Sequence, residues 1–289
     1  MENHHPFTLE QHRPTSVRYG KVFITTISLD VPREKKRIIR VYLPEDYHPE
    51  QRYAVLYMSD GQNLVDKYTS AYGDWKLDQK MHQLIKEDYP SFIIVGIDCP
   101  KNPLSRILEY SFSTVPFIPK KQNGISFSPH THTYGDELLS CLVNKIKPLI
   151  DQCFSTNEIA GIGGSSMGGV FALNGFISYP QTFSFCLSFS PAYNLYIQDI
   201  FKQYLESKNM RLYNNDNTLV LYTGTVGFEK QFFQPTIKMY QYFEHQHFDE
   251  HHLALFIDSR GIHHEATWSI YFMEAMHFYL KKKAKEGKV

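Results

Sequence analysis

Cysteine is scarce in this sequence. Its four cysteines, Cys99, Cys141, Cys153 and Cys186, are far apart in 289 residues and form no CxxC pair. In a chain this long they read as buried thiols of a reducing compartment, so a cytoplasmic location is expected. An excess of either charge is also missing: 30 Lys+Arg stand against 30 Asp+Glu. The balance removes the basic footprint of a nucleic-acid binder and of a polybasic membrane-surface protein. No apolar run approaches the roughly 20 residues of a membrane span. The N-terminal segment MENHHPFTLEQH is polar and broken by Pro6, with no basic start leading into an apolar stretch, so no secretory signal is read there. Internal repeats and Gly/Ser-rich linkers are lacking too. One domain over residues 1–289 is therefore expected, with flexible ends at about 1–15 and 283–289.

What is present is core-forming material. Apolar residues make up 42% of the chain and aromatics 15%, chiefly 21 Phe and 20 Tyr beside 2 Trp. This is too much apolar surface for a disordered chain. Residues 17–29 and 37–43 alternate and read as antiparallel strands. The pattern then changes. YAVLYM (53–58) and FIIVGI (92–97) are continuous apolar runs, as expected of strands covered on both faces. Leu77, Met81, Leu84 and Ile85 between them repeat at helical spacing, with Asp74 as the expected N-cap. A second helical stripe runs from Leu138 to Leu149, with Asp136 as cap and Pro148 expected to kink or end it. Further strands are read at 158–162, 183–189, 218–223 and 252–257, with helices at 168–179, near 235–243 and from 265 to about 283. The alternation predicts an α/β fold with a mainly parallel sheet, antiparallel strands at its N-terminal side and helices on both faces. Residues 98–133 carry five prolines and no periodicity, the signature of a functional loop or lid.

The most informative segment is GIGGSSMGG at residues 161–169. A phosphate-binding P-loop requires a Lys after its last glycine, where Gly169 stands, so that reading fails. A dinucleotide fingerprint has Ser166 at its third glycine position and no acidic residue ending the following strand, which makes it weak. A nucleophile elbow, G-x-S-x-G, has Gly164, Ser166 and Gly168 in place between an apolar strand and a helical stripe. The turn needs small residues two before and two after the serine, and it aims the helix N-terminus at the reacting centre.

A serine nucleophile needs an imidazole to take its proton, and on this fold the order is Ser, acid, His. The last strand runs into Asp258 and then His263 and His264. His263 is preferred as the base, with His264 as a surface or capping residue. The turn after the 218–223 strand offers Glu229 as its carboxylate, with the role of holding the imidazole tautomer. Asp258 competes but lies too near the histidine along one strand end. The loop after the third strand, Ser59 to Asn63, has Gly61 for a close backbone approach. The N–H groups of Gln62 and Met167 are expected to form the oxyanion hole.

These residues resemble the Putative esterase family of α/β-hydrolases, which includes esterase D, enterochelin-type esterases and feruloyl esterases. The resemblance extends from about Lys36 to Leu280. It rests on YAVLYMSDGQN (53–63), GID (96–98), Arg106 with Glu109 and Tyr110, GGSSMGG (163–169) and HHEATW (263–268), the last similar to the family's H-N-E-x-x-W ending. It implies an α/β-hydrolase fold and a serine carboxylesterase with Ser166 as nucleophile, His263 as base, and Met167 and Gln62 at the oxyanion hole. Asp60, Gly61, Arg106 and Tyr110 are read as substrate-binding. Family members often use Asp as the acid, and Glu229 departs from that. Some relatives are acyltransferases, so an alcohol acceptor in place of water is the alternative, and a non-catalytic binding protein of the same fold is a third.

The histidine-rich stretch His245, His247, His251 and His252 invites a metal reading. His at i and i+2 point apart on a helix, and imidazoles favour a helix C-terminus, so no metal is expected. No organic cofactor is implied. The expected partner is a small-molecule ester, with no nucleic acid and no membrane, and a homodimer is possible on this reading. Tyr110, Phe112, Phe117, Phe127 and Tyr134 are read either as an acyl or aryl pocket over Ser166 or as core.

Overall fold

The computed structural model describes residues 6–10, 14–122, 125–207, 217–246, 248 and 250–285. Two short strands open it, β1 (Thr8–Leu9) and the longer β2 (Lys21–Ser28), followed by β3 (Lys36–Leu43) and β4 (Tyr53–Ser59). Then come α1 (Leu77–Lys86), β5 (Phe92–Ile97), α2 (Pro103–Glu109) and a small hairpin of β6 (Lys120–Gln122) and β7 (Ile125–Phe127). A long helix follows in three parts, α3 (Gly135–Cys141), a π-helical turn (Leu142–Ile146) and α4 (Lys147–Cys153). The second half is β8 (Thr156–Ser165), α5 (Met167–Ser178), β9 (Phe185–Phe189), α6 (Gln198–Ser207), β10 (Thr218–Gly224), α7 (Lys230–His245), β11 (Leu253–Asp258) and α8 (Glu265–Lys285).

Nine strands form one sheet in the order β1-β2-β3-β5-β4-β8-β9-β10-β11. The first three and the β3–β5 pair are antiparallel, and every pair from β5 to β11 is parallel. This is the mainly parallel α/β sheet expected of the sequence. Both faces are covered because strand side chains alternate. Val55 and Tyr57 of β4 join one core with α3, α5 and α7, while Leu56 and Met58 join the other with α1 and α8. The continuous apolar runs follow from that double burial.

Several local expectations change. The N-cap of α1 is Lys76, in the left-handed region at φ 53, and no side chain caps it, so Asp74 is not the cap. Asp136 lies within the first turn of α3 and accepts from Asn174 Nδ2 at 3.0 Å. Pro148 neither ends nor breaks its helix. The Lys147 N–H reaches back five residues to the Leu142 carbonyl, and this wider π turn takes up the ring that an α turn could not hold. The 98–133 stretch contains α2, capped by the Asn102 side chain with Pro103 at its start, and the β6–β7 hairpin. Its aromatic rings are core, not a pocket over Ser166. Phe112 packs on Tyr196, Phe201 and Tyr204, Phe117 packs on Phe127 and Tyr196, and Tyr110, Phe112, Phe117 and Phe127 are all buried.

The ends are partly tied down. Phe7 is buried, Thr8–Leu9 pairs with β2, Thr15 Oγ1 donates to Asp66 at 2.5 Å, and Lys283 is buried within α8. Residues 1–5, 11–13 and 286–289 of those expected flexible ends lie outside the described residues, as does His247. Among the described residues no helix is long and apolar enough to cross a membrane.

Phe185 joins the central strands to α8, stacking on Tyr279 at 4.2 Å and meeting Phe92 edge-on at 6.0 Å. Phe185→Ala should therefore cost about 3–5 kcal/mol, read as a lowered urea midpoint with an unchanged m-value.

Candidate active site

The parallel strands β4, β8, β9, β10 and β11 all end at one edge of the sheet, and the loops leaving that edge carry the residues of interest. Ser166 sits between β8 and α5 with φ 57 and ψ −122. A non-glycine residue there costs of order 1–3 kcal/mol and persists only when its surroundings over-determine it. They do. The Ser166 N–H donates to the Phe189 carbonyl at 2.9 Å, and its carbonyl accepts from Gly169, Val170 and Ala192 N–H groups at 3.1–3.3 Å. Gly164 and Gly168 flank it because no Cβ fits: at either position one would collide with Ser59 Oγ at the end of β4, and at Gly164 also with the Gly168 carbonyl at 2.6 Å. Met167 opens α5, where the first N–H groups have no acceptor within the helix.

Beside the elbow, β4 is followed by Asp60, a left-handed residue (φ 57) that starts the 3₁₀ turn Gly61–Asn63. Arg106 grips the Asp60 carboxylate with Nε and Nη2, both at 2.7 Å, and lies over the Tyr110 ring at 5.2 Å. The Asp60 N–H donates to the Tyr110 hydroxyl at 3.1 Å. Gly61 presses on the next strand, where a Cβ would come within 2.6 Å of the Gly96 carbonyl carbon. Asp60, Gly61, Arg106 and Tyr110, expected to bind substrate, are thus engaged with one another and with β5. The carboxylate and phenol are both buried, and the group braces the turn against the elbow.

The Gln62 side chain is taken up by Cys99, accepting from its N–H at 3.0 Å and donating to Sγ at 3.1 Å. Burial pushes the Cys99 thiol up to about 12, so it bonds as a neutral group. Asn63 Nδ2 donates to Glu265 Oε1 at 3.2 Å, tying this turn to the start of α8. Burial holds the Glu265 carboxyl above the usual carboxylate range.

Glu229 closes the turn after β10 and is completely buried. Its Oε2 lies 3.4 Å from His263 Nδ1, longer than a good hydrogen bond, and neither atom has another partner among the described residues. Distances of this kind commonly tighten when substrate binds. The imidazole is boxed by Phe232, stacked at 4.7 Å, by Phe228 at 5.2 Å and by the edge-on Trp268 at 4.8 Å. His264 is a capping residue: its Nδ1 accepts from the Ala266 N–H at 3.1 Å and its carbonyl from Thr267 and Trp268. Asp258 closes its own turn, accepting from the Arg260 N–H at 2.9 Å. The structure therefore brings Ser166, His263 and Glu229 to one edge and sets Glu229, not Asp258, against the imidazole. His245, His251 and His252 lie at the other edge, between the end of α7 and the start of β11.

A family model described as Putative esterase matches residues 33–279. The chain belongs to that family. It is a carboxylic ester hydrolase, and the fold agrees. The esterase is 23% identical to the uncharacterized protein YbbA of Bacillus subtilis (strain 168), across 88% of this chain and 97% of that one. A solved ferulic acid esterase superposes with a TM-score of 0.66 at 15% identity, covering 91% of this chain and 98% of its own. An IroE-like serine hydrolase from Shewanella oneidensis gives 0.64 at 17% identity, covering 89% and 80%. These structural likenesses are to proteins of the α/β-hydrolase fold.

Sequence reading missed Ser190, which bonds Glu229, and the bracing role of Arg106. Trp268 was visible in the HHEATW motif, but without a task. If Arg106 is a brace, Arg106→Ala should lower stability by about 3 kcal/mol by leaving Asp60 buried and unpaired, measured by chemical denaturation.

Proposed function

We propose that the esterase works through a Ser166–His263–Glu229 triad and an acyl-enzyme. The observation that carries this is the buried Glu229 carboxylate facing His263 Nδ1 at the same sheet edge as the strained Ser166. With Nδ1–H turned to Glu229, the other ring nitrogen is the base. It takes the Ser166 proton as Oγ attacks the acyl carbonyl. The negative charge that develops on the carbonyl oxygen is met by the N–H groups of Met167 and Gln62, the Gln62 side chain being held aside by Cys99. Collapse of the tetrahedral intermediate expels the alcohol, which His263 protonates. Water, deprotonated by the same nitrogen, then attacks the acyl-enzyme and frees the acid and Ser166.

The chemistry uses side chains on the turns that follow strands 156–165, 218–224 and 253–258 of one sheet, in keeping with a single domain over 1–289. Four cysteines spread along the chain without a CxxC pair suit a reducing, cytoplasmic setting. The substrate's apolar part meets Phe228, which is half exposed beside His263, with Val226 and Ile262 also exposed on the neighbouring loops. An apolar acyl or aryl ester is thereby selected by contact area, since the chain carries no net charge to steer an ionic one.

Ser166→Ala should abolish labelling by a fluorophosphonate probe and lower p-nitrophenyl acetate turnover by about 10⁴-fold or more. Glu229→Gln should lower kcat by about 10²–10⁴-fold. Full activity in either variant sinks the triad, and product analysis with added alcohol separates hydrolysis from acyl transfer. Phe228→Ala should raise KM for p-nitrophenyl hexanoate by about 5-fold relative to the acetate, measured in parallel on the two esters.

A further inference from the structure

We propose that Ser190 and Trp268 are positioning residues that turn the Glu229 carboxylate toward His263. The proposal rests on the reading of Glu229 as the acid and adds what holds it. A carboxylate this deeply buried needs donors on its oxygens. Oε1 accepts from Ser190 Oγ. Trp268 Nε1 in turn donates to Ser190 Oγ at 2.8 Å. Chemistry sets the direction of this chain. An indole nitrogen only donates, an ionised carboxylate only accepts, and the serine hydroxyl has a single proton to give. Donation therefore runs from Trp268 to Ser190 to Glu229. It occupies Oε1 and leaves Oε2 as the acceptor for the imidazole N–H.

The backbone supports the same assignment. Ser190 is fully buried and has φ 43, a region where glycine is the unstrained choice. Its N–H donates to the Tyr222 carbonyl at 2.7 Å. A serine kept in a glycine conformation puts its hydroxyl where the backbone alone gains nothing. Its chain neighbour Phe189 supplies the carbonyl that holds Ser166, so one turn anchors both nucleophile and acid. Trp268 also meets the His263 ring edge-on, which sets the base against the acid it helps to aim. Glutamate has one more rotatable bond than aspartate and so more ways to miss the imidazole. The Ser190 bond removes that freedom.

The test is a double-mutant cycle on the full chain, with p-nitrophenyl acetate kcat and KM, fluorophosphonate labelling rate and thermal midpoint as readouts. Ser190→Gly removes the hydroxyl and relaxes the backbone, so it should fold at least as well as Ser190→Ala. Either variant should lower kcat and labelling rate by about 10- to 100-fold with KM within about twofold. Trp268→Phe, which keeps a ring and loses the N–H, should lower kcat by about 3- to 30-fold. In a Glu229→Gln background Ser190→Gly should cost less than about twofold, because its effect passes through the carboxylate. A folded Ser190→Gly with wild-type kcat, or a loss undiminished in the Glu229→Gln background, overturns the proposal and leaves the triad standing. Wild type that fails to label, or Glu229→Gln with full activity, overturns the triad reading itself.

Discussion

The elbow at Ser166 is the constraint on which the rest of this structure depends. A serine at φ 57 is unfavourable by itself, and the cost is met by two hydrogen bonds and close packing from three other parts of the chain. The Phe189 carbonyl comes from the end of β9, the Ala192 N–H from the loop beyond it, and Ser59 from β4 fills the space that Gly164 and Gly168 leave open. The order β4-β8-β9 puts those suppliers on either side of β8. Strain at one residue is thus held by the register of three strands. Loosening any of them would let the serine relax into an ordinary turn.

Two buried polar assemblies flank the elbow and differ in kind. On the β4 side, Arg106 and Asp60 form a bidentate pair with Tyr110 behind it, a brace that fixes where the 60–63 turn lies. On the β9–β10 side, the chain from Trp268 through Ser190 to Glu229 ends in an acceptor that, among the described residues, faces only an imidazole. The brace gives both Asp60 carboxylate oxygens a donor. In the proposed triad one acceptor stays open, because it has to respond when the imidazole gains a proton. That contrast separates support from chemistry among residues that all look like buried charge.

Much of the site was legible in the chain. The elbow could be read because its spacing is local: strand, turn and helix are neighbours in sequence, and the glycines are forced by atoms that any such turn brings close. Glu229 and His263 could be read because strand order fixes which loops reach the sheet edge. The reading failed where local propensity met tertiary demand. Asp74 and Asp136 looked like caps, but Lys76 takes the cap position of α1 with no side-chain bond, and Asp136 serves Asn174 on α5. Pro148 looked like a breaker, but a π turn absorbs it. The 98–133 stretch looked like a functional loop or lid, yet its rings meet Tyr196, Phe201 and Tyr204 from a segment some eighty residues on. No periodicity within that stretch could reveal partners so far away.

The sequence by itself determined the fold class, the strand–turn–helix at Ser166 and the loops on which Glu229 and His263 stand. Each depends on alternation, on short-range sterics or on the order of elements along the chain. Tertiary structure decided what the neighbouring polar residues do. Asp60, Arg106 and Tyr110 became a brace because they satisfy one another across β4 and α2, and Ser190 became the acid's partner because β9 lies beside β10. A buried hydrogen bond is made with whatever atom the packing brings within about 3 Å, and sequence spacing carries no record of that distance.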